Sequence, residues 1–269
     1  MPDMLAYGFM QRAFLAGMVV AVICPAIGIF LTLRRLSLIG DTLSHVALAG
    51  VAGGIMGGIY PVYGALLVTI LASFAIEALR KTYAQYAELS LAVMMSLGVG
   101  VATVLISMGG SGAQVLSFLF GSVTLVTRQD VWSIYVLGGC VLVLVLFFYR
   151  SLFYMAFDET AARLAGVPVK GINLVFTLMV AVTISLSMRI VGILMVSSLM
   201  VIPVATAFQL NTSFRNTFLL SLLFGWLSVV VGLTISFYAS LAPGGTIVLT
   251  SIGIMLLTLF STKIVRVKP

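Results

Sequence analysis

Ala13-Phe14-Leu15-Ala16-Gly17-Met18-Val19-Val20-Ala21-Val22-Ile23-Cys24-Pro25-Ala26-Ile27-Gly28-Ile29-Phe30-Leu31-Thr32-Leu33 contains no charged residue. A helix rises about 1.5 Å per residue, so a run of this length covers the roughly 30 Å hydrocarbon core of a bilayer. It is too long for a signal peptide and lacks the small-residue cleavage site, so it reads as a permanent transmembrane helix. Working outward, nine candidate spans emerge, at approximately 12–33, 41–58, 61–79, 88–108, 131–149, 171–188, 190–209, 216–239 and 245–262. The weakest division is at Arg189, which splits forty otherwise apolar residues. The second and sixth runs are short, so the count is eight or nine. The expected fold is all-α, a polytopic integral membrane protein.

Composition supports this reading. Of 269 residues 62% are apolar and 8% charged, against roughly a quarter charged in a soluble domain. The mean hydropathy is +1.25, more apolar surface than a soluble fold of this size could hide. The net charge of +7 does not mark a nucleic-acid binder, which needs a basic patch on a polar domain. It is explained by topology. With the N-terminus outside and the C-terminus cytoplasmic, the cytoplasmic segments hold Arg34, Arg35, Arg80, Lys81, Arg150, Arg163, Lys170, Arg215, Lys263, Arg266 and Lys268. Only Arg12, Arg128 and Arg189 lie on the other face, as the positive-inside rule requires. Cys24 and Cys140 both sit in apolar runs, which excludes a disulfide scaffold. No stretch separates into a soluble unit, so residues 1–269 are expected to form one transmembrane domain. Gly109-Gly110-Ser111-Gly112, followed by Phe118, Leu119 and Phe120, reads as a turn and a short interfacial helix.

Catalytic constellations are missing. The chain has one histidine and seven carboxylates, and no P-loop, Gly-x-Ser-x-Gly, His-Glu-x-x-His or Cys-x-x-Cys. No catalytic residue is assigned. Glu77 is about one turn from Arg80 and Lys81 and is expected to form an ion pair at a span end. Asp3, Glu88, Asp130, Asp158 and Glu159 lie at span ends or in loops, where solvated charge is the expectation. Fourteen scattered methionines read as gap-filling rather than as metal ligands.

The exception is Asp41-Thr42-Leu43-Ser44-His45. Residues four apart share a helix face, so Asp41 and His45 can touch one ligand. Carboxylate and imidazole together suit a divalent cation such as zinc or manganese. The competing reading is that Asp41 caps a helix and His45 merely follows it. Two ligands are too few for a stable site, so further groups, water or a second copy must contribute. Gly50, Gly53, Gly54, Gly57 and Gly58 then make a small-residue face that permits close helix packing, within the chain or between copies. Pro25 and Pro203 are expected to kink their spans, and Gly192 and Gly225 to ease packing.

The segment 157–168 reads as a short amphipathic helix. Asp158 and Glu159 stand at its start, where anions complement the dipole, and Gly166 and Pro168 close it. Phe157, Ala161, Leu164 and Ala165 form an apolar strip of the kind that lies on a membrane or enters a groove on another protein.

Three motifs carry a resemblance over essentially the whole chain. Arg34-Arg35-Leu36-Ser37-Leu38-Ile39-Gly40-Asp41-Thr42-Leu43-Ser44-His45, with Gly50-Val51-Ala52 after it, resembles the early signature of permease subunits of bacterial zinc/manganese ATP-binding-cassette importers. Phe157-Asp158-Glu159 to Leu164-Ala165-Gly166-Val167 is similar to that family's coupling helix. Val191-Gly192-Ile193-Leu194, running to Val201-Ile202-Pro203-Val204-Ala205-Thr206-Ala207, is similar to its C-terminal signature. The resemblance implies a single permease domain in the bacterial cytoplasmic membrane that works as a homodimer. It also implies a cytoplasmic ATPase subunit docked at Phe157, Asp158, Glu159, Ala161, Leu164, Ala165 and Gly166, and an extracytoplasmic metal-binding protein. Asp41 and His45 would line the metal route, with alternating access driven from the ATPase and no permanently bound cofactor. Ala49, where many manganese-type members carry proline, favours zinc as the transported ion. The rival reading is a stand-alone secondary transporter, which would need a matching second half that the sequence lacks.

Overall fold

The structure, a computed structural model, describes residues 4–82, 87–109 and 112–267. Among these every element is helical. A 3-10 turn at Met4–Ala6 leads into α1 (Gly8–Leu33), α2 (Ser37–Met56), α3 (Pro61–Thr82), α4 (Ala87–Gly109), α5 (Gly112–Phe120) and α6 (Arg128–Phe147). The chain continues through α7 (Tyr149–Phe157), α8 (Glu159–Leu164), α9 (Val169–Val191), α10 (Ile193–Phe208), α11 (Phe214–Ala239) and α12 (Pro243–Val267). Eight of these helices are long and apolar enough to cross a bilayer; α10, with 16 residues, is shorter. The expected interfacial helix is α5, while Gly110 and Ser111 of its turn lie outside the described residues.

Connectivity makes α10 a ninth crossing. Phe30, near the end of α1, meets Phe176 of α9 at 6.5 Å and Phe214, which starts α11, at 6.0 Å. The start of α9 and the start of α11 therefore share the face that carries Arg34 and Arg35. The end of α9 is on the opposite face, so α10 has to traverse the bundle to reach α11. About 24 Å of helix is a short span, and it is tolerated because α10 is enclosed by α1, α2, α9, α11 and α12. Helices α1, α2 and α9 are largely buried, whereas α3, α4, α6, α11 and α12 turn most of their surface outward. Exposed leucines such as Leu67, Leu71 and Leu249 are suited to lipid on that outer surface.

The division of the forty-residue apolar stretch differs from the expectation. The break is at Gly192, with φ +87° and ψ 147°, and Arg189 remains helical inside α9. A side chain at Gly192 would be strained by that φ and would also press on Leu119 O at 2.5 Å. The end of α5, the α9–α10 break and the start of α12 thus meet backbone to backbone. Ser122 N donates to Arg189 O at 3.2 Å across this junction.

Asp130 was expected to be solvated and is buried instead. Its carboxylate accepts from Arg189 Nε at 3.2 Å and from Tyr60 Oη at 2.7 Å. Asp130 N donates to Thr127 Oγ1 at 3.1 Å while Thr127 N donates to Asp130 Oδ2 at 2.8 Å, a reciprocal cap that starts α6. The Arg189 guanidinium also lies 4.6 Å from the centroid of the Phe118 ring. One ion pair therefore ties α5, α6, α9 and the α2–α3 loop together, and it explains why Arg189 tolerates a helical, apolar setting. The Glu77–Arg80 pair forms as expected at 3.9 Å, and Glu88 is exposed. Asp3 and the Lys81 side chain lie outside the described residues. Cys24 and Cys140 are both free.

Removing one partner of a buried pair leaves the other charge uncompensated, at about 3–5 kcal/mol. Asp130→Ala should lower the thermal unfolding midpoint in detergent markedly, and a second change, Arg189→Met, should restore most of it. An unchanged midpoint for the single variant would show that solvent, not Asp130, satisfies Arg189.

Candidate metal path and coupling loop

Helix α2 starts earlier than the sequence suggested. The chain leaves α1 through Arg34, turns at Arg35 in the left-handed region (φ +55°) and re-enters helix at Ser37. The position preceding α2 is Leu36, without a side-chain cap. Asp41 is therefore the fifth residue of the helix, and the reading of Asp41 as a cap is excluded by geometry. It lies about 6 Å along α2 from its first residue and His45 about 12 Å, so the pair occupies the half of the span next to the cation-rich face.

Asp41 Oδ1 and His45 Nε2 are 3.9 Å apart on one face, with side-chain exposures of 45% and 25%. The other faces of α2 are taken. A Cβ on Gly40 would lie 3.8 Å from Met200 Sδ and 3.9 Å from Ser197 Cβ of α10, and Thr42 Oγ1 donates to Leu91 O of α4 at 3.4 Å. Further along, a Cβ on Gly50 would fall 2.5 Å from Ala65 Cα of α3, and one on Gly98 of α4 would fall 2.8 Å from Val46 Cα. Gly50 and Gly54 of the stripe are thus used inside the chain, against α3, where the sequence left a contact between copies open. What remains uncovered is a row of Leu38, Asp41, His45 and Leu48, spaced three and four residues apart and all partly or fully exposed. No third histidine, cysteine or carboxylate joins the pair to make a metal-binding group among the described residues.

The short amphipathic helix expected at 157–168 is shorter. Helix α8 holds six residues, Glu159–Leu164, and Asp158 caps it by accepting from Thr160 N at 2.8 Å and Ala161 N at 2.9 Å. Its end is a Schellman turn, with Val167 N donating to Ala162 O and Gly166 at φ +83°. Phe157 is not part of this helix. It is the last residue of α7, and its ring packs at a tilt against Phe153, with centroids 4.8 Å apart. The apolar strip is split over two short helices, and yet Phe157, Ala161, Leu164 and Ala165 all face outward, with Leu164 87% exposed.

The sequence reading missed the link between the two motifs. Arg34 Nη2 donates to Asn173 Oδ1 of α9 at 2.6 Å and stands 3.5 Å from Glu159 Oε2 of α8. Burial pushes the Arg34 guanidinium down from its ordinary value and the Glu159 charge pulls it back up. Glu159 also pairs with Arg163 at 3.5 Å. The corner that opens α2 is therefore joined by one buried arginine to the start of α8. No local signal could have shown this pairing, because the partners are 125 residues apart in the chain (159 minus 34).

Residues 6–262 match the ABC 3 transport family. The chain is 41% identical, over 98% of its length and 100% of the relative's, to a protein of Treponema pallidum (strain Nichols) described as "Probable metal transport system membrane protein". It is 30% identical, over 96% of its length and 89% of the relative's, to the "Manganese transport system membrane protein MntC" of Halalkalibacterium halodurans. Among solved structures it resembles "PsaBC from Streptococcus pneumoniae in complex with Fab", with a TM-score of 0.87 at 27% identity over 98% of this chain and 97% of that one. The match spans the α2 pair, the α8 loop and the α9–α10 break alike, and the chain belongs to the ABC 3 transport family as a multi-pass transport component of the bacterial cytoplasmic membrane.

Proposed function

We propose that the chain is the permease of an ATP-driven importer for manganese or zinc, and that Asp41 and His45 contact the ion in transit. One observation carries this reading: the only histidine of the chain and a carboxylate lie side by side within a span, on the single face of α2 that the chain leaves uncovered. Ionisable groups are costly in a bilayer and are kept where they face a pathway or partner. A second copy packed on the open row would enclose the pair and double its ligands, which supports a homodimer with the route at its centre. A pair of ligands from each copy holds an ion only moderately, which suits a site that must release it. The relatives named for manganese favour that ion, while Ala49 favours zinc. Carboxylate with imidazole accommodates either.

The driving force would come from a separate ATPase. The outward-facing strip on α7 and α8 offers it a docking surface, and the Arg34–Glu159 pair would pass a displacement of α8 to the corner of α2. An extracytoplasmic binding protein would deliver the ion to the opposite face. The cation count supports a cytoplasmic Arg34 face, and with it an N-terminus outside and a C-terminus inside.

Three measurements test these assignments. Asp41→Asn keeps the shape and removes the charge; together with His45→Ala it should reduce uptake of labelled manganese and zinc by the assembled complex in proteoliposomes to background, with folding and dimerisation intact. Near-normal uptake by Asp41→Asn would remove that residue from the route, and competition between the two ions in the unaltered complex assigns the cargo. Leu164→Asp places a charge that must be desolvated on docking and should lower ATPase copurification by about tenfold, the size of an interface anchor; unchanged copurification and uptake would mean that the strip lies on lipid. For orientation, Thr212→Cys and Leu241→Cys, introduced separately with Cys24 and Cys140 changed to serine, should react with an impermeant maleimide from opposite sides, Thr212→Cys from the cytoplasm. Labelling from the reverse sides would invert the topology and the role of α8.

A further inference from the structure

Two adjoining clefts open between α7 and α11 near the cation-rich face, and both are walled by Tyr149, Arg150 and Arg215. One, of about 420 Å³, extends toward the bilayer past Leu146, Phe147 and Leu219. The other, of about 500 Å³, extends toward Tyr154, Ser213 and Phe214. Among the described residues neither Arg150 nor Arg215 pairs with a carboxylate. Both are exposed. Burial raises the Tyr149 phenol above its usual range, and the Arg215 charge opposes that shift, which places the cation within electrostatic reach of the cleft wall.

We propose that this cleft binds an anionic phospholipid, with the phosphate between Arg150 and Arg215 and the acyl chains along Leu146, Phe147 and Leu219. Two guanidinium forks match phosphate oxygens in geometry and charge. Basic pockets at the cytoplasmic ends of transmembrane helices are a recurrent setting for anionic head groups. The polarity gradient decides for a lipid over a soluble anion. Arg150 and Arg215 stand in the first turns of α7 and α11, at the outermost end of the α11 span, whereas Phe147 ends α6 and Leu219 lies about 6 Å further into α11 than Arg215. Leu146, Phe147 and Leu219 are all exposed, 78% in the case of Phe147. A docked soluble protein could cover the arginines and would not reach that lower wall. Tyr149 and Tyr154 supply amphipathic rings at the head-group level.

The test is native mass spectrometry of the purified chain in micelles containing equal phosphatidylglycerol and phosphatidylcholine. The unaltered chain should retain phosphatidylglycerol selectively. Near an anionic membrane each arginine contributes a factor of about five in affinity, so Arg150→Ala should weaken retention by roughly fivefold and the pair Arg150→Ala/Arg215→Ala by about twenty-five-fold. The double lysine variant, Arg150→Lys/Arg215→Lys, should keep most of it. Equal retention by the double alanine variant would overturn the proposal. So would displacement of the lipid by inorganic phosphate at matched concentration, which would mark a free-anion site. Loss of ATPase copurification with lipid retention unchanged would assign the arginines to the partner and overturn it as well. Should the double alanine variant fail to fold, photoactivatable phosphatidylglycerol on the unaltered chain decides: crosslinks within 146–154 and 213–219 support the site, and crosslinks confined elsewhere reject it.

Discussion

Helices in a bilayer gain nothing from leaving an apolar solvent, so they associate where their backbones can come close enough for dense packing. This constraint organises the centre of the bundle. Gly28 of α1 lies against the Met200 backbone of α10, Gly50 of α2 against Gly64 and Ala65 of α3, and Gly98 of α4 against Val46 of α2. Gly225 of α11 receives the ring of Pro25 at the point where proline interrupts the α1 ladder, a Cβ there falling 2.5 Å from Pro25 Cγ. Side-chain-free positions thus fix α2 against α3 and α4. Its side carrying Asp41 and His45 is left open.

Two arginines are then accommodated by different means at the two ends of α9. Arg189 is neutralised by Asp130 in a network that Tyr60 and Thr127 complete, which pins the end of α5 and the break at Gly192. Arg34, at the other face, is shared between Asn173 and a half-exposed Glu159. The first arrangement is enclosed within the bundle. The second ends on a six-residue helix at the surface. The two carboxylates differ in exposure, 1% for Asp130 and 44% for Glu159, so the first pair is enclosed in the bundle and the second reaches its surface.

The clefts around Arg150 and Arg215 fit the same scheme. They lie beside α7, the helix that connects α6 to the α8 loop and ends in Phe157. A head group held there would brace α7 against α11 without touching the Asp41 face.

The sequence by itself determined that the chain is an all-helical bundle in a membrane, because hydrocarbon thickness and the cost of burying charge act on each segment independently of its neighbours. It also placed Asp41 and His45 on one face, since helical spacing is a local property, and it marked a short helix begun by Asp158 and Glu159 and closed by Gly166 and Pro168, although longer than the six residues of α8. Thr127-x-x-Asp130 carried a readable capping signature that went unused, and Arg189 in an apolar run was itself a demand for a carboxylate. Which carboxylate answers it, why the chain breaks at Gly192 and not at Arg189, and which face of α2 stays uncovered were decided only by the tertiary structure. Each of these depends on groups far apart in the chain meeting at backbone contact distance or across an ion pair, and neither periodicity nor propensity encodes such a meeting.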